Sequence, residues 1–135
     1  SRLATTHPGM ETRMASNRIV HFEIPADQPE ALTKFYSGVF GWSFEKAPMP
    51  GPEYWLCKTG DGPGIDGAVM QRQHPQQPWM NYVDVPAIDA AIETAVQLGG
   101  KVALPKTPVP GVGAFAAILD PQGNICGLWE QTGGK

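Results

Sequence analysis

Between residues 18 and 26 the chain alternates, with Val20, Phe22 and Ile24 on one side and Ile19, His21 and Glu23 on the other. A period of two marks a strand that buries one face. The period then lengthens. Ala31, Leu32, Phe35, Tyr36 and Val39 recur at helical spacing, with Asp27 as the expected N-cap and Gly41 as the stop. Alternation returns over residues 80–87, setting Val83 and Val85 against Met80, Tyr82 and Asp84. A second helical stripe follows in Ile88, Ala91, Ile92, Ala95 and Leu98, and Gly99-Gly100 ends it.

The second half repeats the first. Ile24-Pro25-Ala26 matches Val85-Pro86-Ala87 at an offset of 61, and the turn PMPG at Pro48 returns as PVPG at Pro108, an offset of 60. At 60, Trp55 falls on Phe115, and IDGAVMQ (65–71) falls on ICGLWEQ (125–131), aligning Gly67 with Gly127. Each copy reads β-α-β-β-β. The strands are expected near 18–25, 42–46, 53–59 and 65–72, then 79–85, 101–105, 113–119 and 124–131. The fold class is α+β: two pseudo-symmetric modules forming a curved mixed sheet around a central cleft. Residues 1–16 read as a flexible leader, 17–72 as module one, 73–78 (QHPQQP and its flank) as a linker and 79–131 as module two.

Composition narrows the class of function. At 135 residues, 41% hydrophobic and 17% charged, the chain suits one globular domain. A net charge of −3 lacks the clustered Lys and Arg of a nucleic-acid footprint. No apolar run reaches the roughly 20 residues of a membrane span. The leader has no apolar signal-peptide core, and Cys57 and Cys126 make no disulfide framework. Both observations predict reduced thiols in a cytoplasmic protein. No Gly-rich phosphate loop, CxxC pair or nucleophile elbow is present.

If the helices cover Phe22, Ile24, Val83 and Val85, the opposite face carries His21, Glu23, Met80, Tyr82 and Asp84. Two curved sheets side by side leave a cleft on that face, where ligands bind. The string HFEIPADQPEALTKFYSGVFGW, with the DPQGN turn at Asp120 followed by ICGLWE, resembles the vicinal-oxygen-chelate superfamily of glyoxalases, bleomycin-resistance proteins and extradiol dioxygenases. The resemblance covers about 110 residues, everything after the leader.

That resemblance implies a homodimer and, in metal-dependent members, four ligands, usually His and Glu, on the first and last strand of each module. Residue by residue, these positions fall on His21, on Gly67 or Ala68, on Met80 or Tyr82, and on Gly127. Glu130, three residues later, is expected to point the other way. One ligand of four remains, and a lone imidazole does not hold a metal against water. No metal or other cofactor is therefore expected. The twin glycines are read as opening room in the cleft.

The expected function is a small organic molecule bound there without a tightly held metal. His21 and Glu23 are the catalytic candidates. His21, Trp55, Gly67, Gln71, Met80, Tyr82, Phe115, Gly127 and Trp129 are the ligand-binding candidates. The alternative is an enzyme of the same superfamily, a glyoxalase-like lyase or isomerase or a dioxygenase-like protein, using His21 with Glu23 or a metal completed by a partner chain. His74, in a polar Pro/Gln segment, reads as solvated, as does His7 in the leader.

Overall fold

The structure, a computed structural model, describes residues 15–132. Most of the expected leader, with His7, lies outside the described residues. Its last residue is engaged: the Ser16 amide and hydroxyl both donate to Asp84 Oδ2, at 3.0 and 3.1 Å.

The elements run β1 (Ile19–Ala26), α1 (Pro29–Phe40), β2 (Ser43–Lys46), β3 (Tyr54–Lys58), β4 (Asp66–Gln71), β5 (Met80–Asp84), α2 (Ile88–Gln97), β6 (Lys101–Val109), β7 (Gly113–Leu119) and β8 (Ile125–Gln131). They form one mixed, curved, eight-stranded sheet in the order β2-β3-β4-β1-β5-β8-β7-β6. Read outward from the centre, each half has the same order, so the duplication is built into the topology. β1 and β5 lie antiparallel at the seam, while β1/β4 and β5/β8 are the parallel pairs inside each module.

Each helix covers its own apolar cluster. Phe22, Ile24, Ala26, Cys57 and Val69 form the first, with Leu32, Tyr36, Trp42, Phe44 and Trp55 packed around them. Val85, Ile88, Ala114, Ala116 and Leu128 form the second, flanked by Val83, Ala91, Ile92 and Ile118. Ile88 and Val69 are wholly buried, each contributing about 1.5–3 kcal/mol of apolar transfer.

Helix α1 reaches the sheet through Pro29, Leu32, Thr33 and Tyr36. Phe35 and Val39, expected on the buried stripe, are more than half exposed. The apolar stripe is wider than the line of contact that one helix makes with a sheet. The α1 cap also differs from expectation. Gln28 holds the N-cap position with Pro29 at N1, and no side chain caps the helix. Asp27 is drawn away to Arg72, whose Nε donates to Asp27 Oδ1 at 2.9 Å. Gly41 ends the helix as expected, at φ +77°, its amide donating to Ser37 O. Among the described residues no helix is long and apolar enough to cross a membrane.

Candidate functional site

Pairing registers decide which side chains share the face away from the helices. Across the seam His21 lies opposite Tyr82 and Glu23 opposite Met80. From β1 to β4, His21 pairs with Asp66 and Glu23 with Ala68. From β5 to β8, Tyr82 pairs with Gly127 and Asp84 with Trp129, and Trp129 in turn pairs with Phe115 on β7. The face thus brings together His21, Glu23, Met80, Tyr82, Phe115, Gly127 and Trp129 from the sequence-derived set. It adds Tyr54, which pairs with Met70.

Glu23 is the hub. Its Oε2 accepts from the Tyr54 hydroxyl and its Oε1 from the Tyr82 hydroxyl, both at 2.7 Å. The Tyr54 oxygen also lies 3.0 Å from His21 Nε2. A phenol has one proton, and Tyr54 spends it on Glu23. Toward His21 it can only accept, so the neutral imidazole carries its hydrogen on Nε2 and keeps the lone pair on Nδ1. The Tyr82 ring meets the His21 ring edge-on, with centroids 5.8 Å apart.

Burial and charge set the protonation states. Desolvation lowers the His21 pKa below 6.5, and the negative charges of Glu23 and Asp66 oppose that shift in part. Burial raises the pKa of both Tyr54 and Tyr82, and the Glu23 charge raises them further. At neutral pH His21 is therefore a neutral imidazole, and Tyr54 and Tyr82 keep their phenol protons.

Three candidates sit elsewhere. Trp55 lies on the helix side, packed against the first cluster, with its Nε1 donating to Glu53 Oε2 at 2.9 Å. Gly67 is on that side too. A Cβ there would stand 2.5 Å from the Phe22 ring, so this glycine makes room for the core and not for a cleft. Gln71 shares that face and donates to Asp27 O at 3.3 Å. Gly127 is on the expected face, but its space is taken. A Cβ there would lie 2.6 Å from the Tyr82 ring and 2.8 Å from Asn81 O. Glu130, as expected, turns to the helix side, and its Oε1 accepts from the Ile88 amide at 2.8 Å to cap α2.

A divalent ion does not fit this donor set. The Glu23 oxygens are engaged by two phenols, His21 Nε2 is directed at Tyr54, and Ala68, Tyr82 and Gly127 stand where further His or Glu ligands would be needed. Among the described residues no three His, Cys, Asp or Glu side chains are grouped to hold a metal.

Tyr54 is the functional candidate that sequence reading missed. A signal was present. In EYWLCK, once Trp55 and Cys57 go to the core, Tyr54 and Leu56 must face the other way.

The chain is similar to known proteins in sequence and in fold. It is 32% identical to a glyoxylase-like domain-containing protein of Didymella fabae, over 86% of this chain and 95% of that one. It is 29% identical to the putative glyoxylase CFP32 of Mycobacterium tuberculosis, over 80% of this chain and 43% of the relative. It is 26% identical to the anthracycline biosynthesis protein DnrV of Streptomyces peucetius, over 89% and 49%. The chain thus spans about half the length of the mycobacterial and streptomycete relatives. Among solved structures, hypothetical protein BH1468 of Bacillus halodurans superposes with a TM-score of 0.67 at 14% identity, covering 87% of this chain and 96% of that one. Methylmalonyl-CoA epimerase of Mycobacterium tuberculosis gives 0.66 at 13%, covering 92% and 94%. A family model described as a glyoxalase-like domain matches residues 20–128. With the duplicated sheet, that match makes the chain a member of the glyoxalase-like domain family within the vicinal-oxygen-chelate superfamily.

Proposed function

We propose that the concave face binds a small organic molecule and keeps no resident metal ion. The observation that carries this reading is the Glu23 hub. Its two phenol donors and the His21 contact gather polar groups on the face away from the helices, which also carries the Phe115 and Trp129 rings further out on β7 and β8. Aromatic walls with a few fixed polar groups suit a compact organic ligand.

Two measurements test it. Metal analysis of untagged protein should find under about one-tenth equivalent of divalent ion. Thermal-shift screening with aromatic and drug-like compounds should give stabilising hits that vanish in Trp129→Ala or Tyr82→Ala. Stoichiometric metal, or hits indifferent to both substitutions, would overturn the proposal.

One observation favours a second reading, an enzyme of the lyase or isomerase type. Tyr54 leaves His21 Nδ1 as an unprotonated nitrogen on the open face. Were Nδ1 to take a proton from a substrate, the positive charge on the ring would be stabilised through Tyr54 by Glu23. Turnover of a hemithioacetal, abolished by His21→Ala, would put this reading first. We also propose that two copies pair, as the superfamily resemblance implies. Analytical ultracentrifugation should then give twice the chain mass.

A further inference from the structure

We propose that the ligand of this face is an organic cation, an amine or quaternary ammonium carried on a flat apolar body. This rests on the small-molecule reading above and names the chemistry that the site selects.

Glu23, at the centre of the face, has no cationic partner among the described residues. It accepts from two hydroxyls, which are neutral. Asp66, paired with His21 on the adjacent strand, adds a second negative charge, and it too has only neutral donors, the Thr59 amide and hydroxyl. His21 does not compensate, because burial holds it neutral. The nearest lysine by register is Lys58, on the same strand as Tyr54 and four residues further along towards Asp66; it is exposed and makes no ion pair among the described residues. A half-buried carboxylate without a counter-ion favours a guest that brings one.

The surroundings suit an organic cation better than a hydrated metal. The Tyr54, Tyr82 and His21 rings border the carboxylate, and the same face carries Trp129 and Phe115 further out on β8 and β7. Ring faces attract soft, weakly hydrated cations, and an ammonium beside them can reach a carboxylate lone pair that the phenols leave open. The same surface disfavours carboxylates and phosphates, which would face Glu23 at close range.

The test uses three probes built on one phenylmethyl group: benzyltrimethylammonium, benzyl alcohol and phenylacetate. Amide chemical shifts of β1 and β5 locate and quantify their binding. The ammonium should bind roughly tenfold tighter than the alcohol, phenylacetate weakest, with the preference lost in Glu23→Gln. Its affinity should also fall as salt is raised, a measurement on the native chain that stands whether or not the variant folds. If all three bind alike, unaffected by salt, the cation proposal fails while small-molecule binding survives. If none perturbs the concave strands at tens of millimolar, both fail.

Discussion

The ring of Tyr82 fills the volume that any side chain at Gly127 would claim: a Cβ on that glycine would lie 2.6 Å from the ring. The pair meets across β5/β8, where the two residues are register partners. The lost acidic position of the resemblance is thus a glycine whose vacancy a neighbouring phenol has taken up. Gly127→Ala should destabilise the fold by about 1–3 kcal/mol through overpacking, measured by urea denaturation. Tyr82→Ala in the same chain should rescue it only in part, because Asn81 O, a backbone atom, lies 2.8 Å from the same Cβ.

Removing one oxygen tests the hub. Tyr54→Phe takes away both the donor to Glu23 and the acceptor for His21 Nε2. The fold should lose about 1–2 kcal/mol. The informative readout is the imidazole: in the native chain, long-range ¹⁵N–¹H spectra should report the Nε2–H tautomer, and in Tyr54→Phe a mixture. An unchanged tautomer would show that Tyr54 does not set it.

The depressed His21 pKa gives stability a sign with pH. The unfolded chain takes up the proton near pH 6.5, whereas the folded chain resists it down to a lower pH. Below 6.5 the unfolded state binds more protons, so stability is full above that value and declines as pH falls through the window. His21→Gln should flatten this slope in chemical denaturation between pH 7 and 5.

Glu130 supplies the acceptor for the first amide of α2, and Lys106 stands 3.8 Å from the same carboxylate. Glu130→Ala should cost about 1–2 kcal/mol, within the range for a lost helix cap, while Glu130→Gln keeps an acceptor and most of the stability. Hydrogen exchange should show the loss concentrated at the start of α2. A uniform loss would assign Glu130 to packing instead.

Much of this was legible beforehand because it rests on periodicity and punctuation. Strands β1 and β5, both helices and their glycine stops follow from local spacing, and the duplication from recurring Pro-Ala and Pro-Gly turns. The face of individual side chains on β3 and β4 was not legible, for a definite reason. The match of Gly67 to Gly127, and of Trp55 to Phe115, uses an offset of 60. The folded modules correspond at odd offsets: His21 faces Tyr82 across the seam, 61 positions apart, and Tyr54 pairs with Met70 as Phe115 pairs with Trp129, offsets of 61 and 59. Side chains alternate with a period of two, so an even offset places every matched residue on the wrong face. That single slip sent Trp55, Gly67 and Gln71 to the cleft and hid Tyr54. Nor could spacing show that Asp27 would leave the α1 cap for Arg72, a residue 45 positions away.

The mirrored strand order has one more effect. A backbone repeated about a central axis offers any guest two poses related by half a turn, and nothing in the main chain prefers either. Here the imidazole and carboxylate occupy one wing and the Trp129–Phe115 pair the other. Turning a guest end for end would exchange its hydrogen-bonding partners for indole and phenyl. Divergence of the two copies has therefore given a nearly symmetric scaffold a sense of direction.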